Sequence, residues 1–238
     1  MSKSTERSRG SKEQILSVAC ALFRSRGFEA TTMREIADKA NMAVGAAYYH
    51  FRSKDDLVFA YYQELQERSE QEVEEIRQSS RSASERLKRA VRFKFRQLEA
   101  DRELTRALTR VAADPQNKLS PLSRETGEVR RRAIQMMSEL MAGSDVRVGK
   151  ALKAHIGAIL WLYYLGMIFF WAHDRSEKQR RADALVDISA PLLIKLLSFS
   201  VLPTTGKINR SVANAVECVL GAAEEPGEQN PPVEDASL

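Results

Sequence analysis

Residues 43–54 place two adjacent tyrosines, Tyr48 and Tyr49, beside the small, uncharged Val44, Gly45 and Ala46, and end on Ser53 and Lys54. Small side chains let a helix backbone approach the floor of a DNA major groove. Methyl groups pack against thymine methyls, and tyrosine hydroxyls reach phosphates or base edges. Ser53 can cap a helix that opens at Lys54, bringing backbone amide donors and a cation to one spot where a phosphate docks. This is the chemistry of nucleic-acid recognition rather than of bond cleavage. His50, His155 and His173 lie far apart, no Cys/His or paired-carboxylate set stands out, and no Gly-rich phosphate loop follows a strand. An enzyme, a metal site and a cofactor are therefore not expected.

The elements that must position these groups are short helices. Ile15, Val18, Ala19, Leu22 and Phe23 repeat at helical spacing and Gly27 follows, which predicts a helix over 11–26. Thr31 or Thr32 can cap the next helix, with Glu35 completing a capping box on Thr32 and with Met33, Ile36, Ala37 and Ala40 as its buried face. Asn41 then stands where a helix-turn-helix needs a residue that tolerates the left-handed backbone region. Residues 43–50 become the helix presented to DNA.

The pattern Gly27-Phe28-Glu29-Ala30-Thr31-Thr32, Ile36-Ala37-Asp38-Lys39-Ala40 and Tyr48-Tyr49-His50-Phe51-Arg52-Ser53-Lys54 resembles the N-terminal signature of the tetracycline-repressor (TetR) family of transcription regulators. The resemblance covers roughly residues 12–60. It implies that Thr32 and Lys54 hold phosphates, that Val44, Gly45 and Tyr49 face bases, and that Tyr48 contacts the backbone. Arg34, Ala46 and His50 complete the expected DNA-contact set. The chain departs from the family pattern at Asn41 (usually Gly), Ala43 (usually a Ser or Thr cap), Ala47 (usually a larger aliphatic) and His50 (commonly Tyr).

Charge is distributed to match. Of the 238 residues, 1–54 hold 10 Lys and Arg against 5 Asp and Glu, whereas the remainder holds 27 of each. The excess over the first segment supplies salt-dependent affinity for any DNA, and sequence information has to come from the exposed helix. Cys20 and Cys218 are too few for a disulfide framework; Cys20 reads as a small core residue, and a reducing cytoplasm is the expected location, at the nucleoid. No signal peptide is expected from the polar N-terminus.

Beyond Ser53 every stretch reads as helix, so the fold class is all-α: an N-terminal three-helix helix-turn-helix domain and a C-terminal helical ligand-binding and dimerisation domain. The expected division is a flexible basic arm over 1–10, the DNA-binding unit over 11–56, the regulatory unit over 57–202, an extra helix over 203–223 and a disordered acidic tail over 224–238. Leu57, Val58, Tyr61, Tyr62 and Leu65 open a long connecting helix, and Leu87, Val91, Phe95 and Leu98 form the next stripe. Asp101 can cap a helix to about 113, and Ser120-Pro121 can start another running to 141.

Residues 156–172 carry no formal charge. Their length borders on that of a membrane span, but charged residues and His155 and His173 flank them, and a helix pressed by its own domain and by a partner subunit needs the same composition. With the helix over 176–200, they provide the expected homodimer interface around 150–200, which the resemblance implies is a four-helix seam. One short helix reads few base pairs, so two copies on a pseudo-palindromic operator of double-stranded DNA are expected. Phe93, Leu108, Met136, Met137, His155, Trp161, Tyr164 and Phe169 are the candidate lining of a pocket for a small hydrophobic or aromatic effector. The reading is a ligand-released homodimeric repressor. An activator, a ligand-independent regulator of the same fold, and a small membrane-associated protein spanning at 156–172 stay open as alternatives.

Overall fold

Ile15, Ala19, Leu22 and Phe23 are all buried on one side of α1 (Lys3–Arg26), so the apolar stripe acts as the sequence demands. The computed structural model describes the backbone over residues 3–221 except 113 and 115, and side chains from residue 9 onward except 111 and 112. The helix starts at Lys3, earlier than the expected residue 11, so residues 3–10 are helical rather than a free arm. Residues 3–10 carry no apolar stripe, and periodicity cannot register a helix there. Helix-compatible Lys, Glu and Arg residues and the Arg9–Glu13 pair at 3.0 Å support the turn that follows.

Two short helices come next, α2 (Met33–Lys39) and α3 (Val44–His50), and then the 26-residue α4 (Lys54–Ser79) leaves the small N-terminal unit. The larger unit packs α5 (Ala83–Leu98), α6 (Arg102–Ala112), α7 (Gly127–Met141), α8 (Lys150–Lys153), α9 (Ile156–His173), α10 (Arg180–Phe199) and α11 (Gly206–Gly221). Among the described residues there is no strand. The acidic tail expected over 224–238 lies outside the described residues.

Two boundaries differ from expectation for a shared reason. Asp101 does not cap α6; a 3-10 turn over Glu99–Asp101 carries α5 into α6, and the Asp101 side chain turns inward to other partners. Pro121 does not open α7, which begins at Gly127. The Thr126 hydroxyl donates to the Ser120 carbonyl (2.7 Å), and Arg130 donates to the carbonyls of Pro121 (3.0 Å) and Ser123 (2.8 Å). Such side-chain bonds give the backbone an alternative to helix that a pattern of apolar positions does not reveal.

The core of the larger unit forms where α9 crosses α7 and packs on α5 and α6. Gly157 allows the closest approach, since a methyl there would overlap the Ser138 hydroxyl and the Ile134 carbonyl of α7. Arg106 donates to the Ala172 carbonyl at 3.1 Å and Arg102 to that of Asp174, so α6 holds the C-terminal end of α9. α9 is not covered all round: Phe170 is exposed, as are Gly166 and Phe169, and so are Ile188, Leu192, Leu196 and Phe199 along α10. By length and composition α9 could cross a membrane, yet Leu160, Trp161, Tyr164 and Trp171 are buried against its neighbours.

Candidate DNA interface and internal cavity

Backbone chemistry builds the N-terminal unit as expected. Thr32 caps α2 and forms the capping box with Glu35: the Glu35 amide donates to Thr32 Oγ1 (3.2 Å) and the Thr32 amide to Glu35 Oε2 (2.9 Å). That backbone bond, the Thr32 hydroxyl and Arg26 at 2.8 Å hold the Glu35 carboxyl below its ordinary range. Asn41 sits in the left-handed region at φ 52°, letting Met42 close on the Ala37 carbonyl at 3.0 Å. Ala43 leaves α3 without a side-chain cap, and Ala47 and Phe51 are the α3 anchors in the core.

The opposite side of α3 faces outward. Tyr49 is 83% exposed and Tyr48 47%, with Thr32, Arg34, Gly45 and Ala46 exposed around them and Val44 and His50 half-buried at the margins. The His50 ring meets Tyr49 edge to face at 5.3 Å. A Cβ built on Gly45 would touch nothing within 4 Å, and its φ is an ordinary one. Neither packing nor backbone geometry requires a glycine, although glycine weakens a helix by ~0.5–1 kcal/mol relative to alanine. The missing side chain clears space only on the outside.

Lys54 is engaged. Its amine donates to the carbonyls of Phe28 (2.7 Å) and Glu29 (3.2 Å) and lies 4.6 Å from the centre of the Phe28 ring. It therefore ties the start of α4 to the turn before α2, beside Thr32, while Ser53 caps α4 as expected.

Within the larger unit lies a cavity of about 400 Å³, lined mainly by apolar groups of α4, α5, α6, α7 and α9, a size within the range of small-molecule sites. Leu108, Trp161, Tyr164 and Phe169 line it, as the sequence led one to expect. Phe93, Met136, Met137 and His155 do not. On α5 the lining residues are Lys94 and Leu98, one turn apart, which turns Phe93 aside. The α7 wall is its first turns, Val129, Arg130 and Ala133, and Met136 and Met137 lie further along in the buried core. His155 precedes α9 and its Nε2 faces Glu217 of α11 at 3.5 Å. Sequence reasoning missed Gln66, Lys94, Thr105 and Arg130, because polar residues at the edge of an apolar stripe read as solvent-facing until a cavity gives them a reason to be inside, and it placed Tyr61 on an apolar face without assigning it to the cavity.

The cavity connects to the DNA-binding unit through one buried acid. Asp101 accepts two bonds from the Arg24 guanidinium of α1, one of them from Nη2 at 3.1 Å, and a third from the Tyr61 hydroxyl at 2.9 Å. Tyr61 also lines the cavity. Burial, followed by the Asp101 charge, pushes the Tyr61 hydroxyl far up, so it stays a donor. The hydrogen bond that Arg24 donates to Asp101 pushes its guanidinium up.

Comparison with known proteins agrees with this architecture. A family model described as bacterial regulatory proteins, tetR family, matches residues 15–61, and one described as tetracyclin repressor-like, C-terminal domain, matches residues 86–209. The HTH-type transcriptional repressor KstR2 of Mycolicibacterium smegmatis is 43% identical over 47 residues, 20% of this chain and 23% of that protein. Such matches span less than a quarter of the relatives' length. The HTH-type transcriptional repressor KstR of Mycobacterium tuberculosis is 26% identical over 192 residues, 80% of this chain and 83% of that protein. Among solved structures, the TetR transcriptional regulator from Nitrosomonas europaea superposes with a TM-score of 0.56 at 20% identity, over 76% of this chain and 96% of that one. That likeness is one of fold. With both units matched, and the C-terminal match alone spanning more than half of the chain, the chain belongs to the tetracycline-repressor family of DNA-binding transcription regulators, which are not enzymes.

Proposed function

We propose that the protein is a homodimeric repressor that leaves a pseudo-palindromic DNA operator when a small, largely apolar molecule fills the internal cavity. The observation that carries this is the shared side chain Tyr61, which lines the cavity and bonds the acid that clamps α1. A ligand that displaces Tyr61 changes the seat of Arg24, and α1 packs on α2, which in turn packs on α3. Such a ligand shifts DNA binding by the difference in its affinity for the two seats. The repressor names of KstR2 and KstR support the sign of regulation.

DNA contact falls to Thr32, Arg34, Val44, Gly45, Ala46, Tyr48, Tyr49, His50 and Lys54, with Tyr49 central because it stands furthest out. α3 holds no Lys, Arg, Asp or Glu, so readout rests on shape, methyl contacts and hydroxyls rather than on arginine-guanine pairs. The working division is a DNA-binding unit to about residue 56, a regulatory unit over 57–202 and an added C-terminal helix beyond it.

The exposed apolar stripe of Ile188, Leu192, Leu196 and Phe199, with Phe170 of α9 beside it, supports pairing of two copies; continuous patches of this kind are uncommon on monomers. Burial of one side of α9 against α5, α6 and α7 supports a core helix rather than a membrane span, and hence a cytoplasmic protein. Selection of bound duplexes from random DNA tests the reading. Two half-sites about one helical turn apart are expected, lost in Tyr49→Ala while its far-ultraviolet dichroism is unchanged. A selected pool with no repeated half-site sinks it.

A further inference from the structure

Lys94 is 5% exposed and lies in the wall of the cavity. Its amine donates to the Leu65 carbonyl (3.3 Å) and to Gln97 Oε1, and lies 6.0 Å from the centre of the Tyr164 ring. Ser69, which donates to the Leu65 carbonyl at 2.8 Å, completes a neutral surround. Among the described residues no carboxylate comes within 4.0 Å of this lysine, whereas Arg24 and Arg132 are each paired with an acid. Arg130, the other cation lining the cavity, is committed to the carbonyls of Pro121 and Ser123.

A buried ammonium without a counter-ion weakens the fold, and an apolar side chain of similar length would fill the slot with less cost. Burial alone drives the amine down to about 7. The rest of the lining is apolar or aromatic apart from Gln66, Thr105, Thr109, Thr126 and Arg130, and none of it is acidic, so a counter-ion for the amine can come only from an occupant of the cavity. We propose that the effector is an amphipathic acid, with its carboxylate on Lys94 Nζ and its hydrocarbon or aromatic body along Leu108, Trp161, Leu165 and Phe169. This rests on the reading of the cavity as the effector site. An incoming carboxylate keeps the amine protonated and replaces a desolvated charge by a charge-assisted hydrogen bond, while the body excludes water from the pair.

Isothermal titration of the full-length protein with decanoate, 1-decanol and decylamine, each kept below its aggregation limit, separates the two layers. Decanoate should bind at least about 10-fold more tightly than decanol, the range of one hydrogen bond to a charged group, and decylamine most weakly. In Lys94→Met the acid and the alcohol should differ by less than about 3-fold with alcohol binding retained, because only the bond to the charge is gone. If circular dichroism finds that variant unfolded, Lys94→Gln decides by the same criterion. Equal binding of acid and alcohol by the unaltered protein, or an acid preference that survives both substitutions, overturns the inference and leaves the cavity reading standing. Binding of none of the three overturns both.

Discussion

The Arg24 guanidinium and the Asp101 carboxylate join the DNA-binding unit to the regulatory unit through a two-point ion pair, with Nη2 to Oδ2 at 3.1 Å and Asp101 only 5% exposed. Arg24 is 43% exposed, so its loss would leave a buried acid with only the Tyr61 hydroxyl as partner. The pair is thus a conditional joint, strong only while every member is seated.

Tyr61→Phe removes one of three bonds to that acid and leaves the ring in place. Urea denaturation should give a loss of ~1.5–3 kcal/mol, the range for a buried hydrogen bond to a charged acceptor. A change under about 0.5 kcal/mol would mean that the hydroxyl does not hold Asp101.

Gly45→Ala should leave stability unchanged or raise it by up to ~1 kcal/mol, since the added methyl meets nothing in the free protein. Affinity for the selected duplex should fall about 10-fold, the scale of one lost base-pair contact. Undiminished affinity in a gel-shift titration would show that the space outside Gly45 is not used.

Lys54→Ala tests whether a tethered lysine also meets a phosphate. Both roles together predict a lowered melting temperature and a salt dependence of DNA binding shallower by a slope of about 0.9. A lower melting temperature with an unchanged slope assigns Lys54 to the Phe28 and Glu29 carbonyls alone.

Lys94→Met should stabilise the protein, and by more at low pH. The folded-state amine titrates near 7 against 10.5 for an ordinary lysine, so the unfolded chain holds the extra proton between these values. The wild-type penalty is therefore full below pH 7 and is relieved as pH rises toward 10.5. The stability advantage of the variant should shrink by ~2–3 kcal/mol between pH 7 and pH 9. A difference that does not vary with pH would mean that the lysine is hydrated in the folded state.

Leu192→Glu places a charge in the middle of the exposed α10 stripe, where the side chain is 53% exposed. The monomer should keep its fold, and sedimentation should give the mass of one chain where the unaltered protein gives two. A variant that still sediments as a pair removes α10 from the interface.

The helix-turn-helix was legible because its signals are local: the Thr32–Glu35 box, the left-handed Asn41 and the Ser53 cap each act within four residues. Half of the residues expected to line the cavity do so for a related reason, since Leu108, Trp161 and Tyr164 lie on apolar stripes that face the interior, with Phe169 half exposed at its edge. Lys94, Tyr61 and Asp101 were not, because their meaning comes from partners as far as 77 residues away in sequence, as Asp101 is from Arg24. The start of α7 escaped for the opposite reason: Ser120-Pro121 read as a helix start, and the hydroxyls of Ser123 and Thr126 instead stabilised a run of turns.

α9 is at once a wall of the cavity, through Trp161 and Tyr164, and the bearer of outward-facing Phe170. In a pair of chains joined on that side, the two internal chambers are separated by little more than two helix diameters, about 20–24 Å. Any shift of α9 that an occupant of the cavity causes would therefore reach the outward face that carries Phe170.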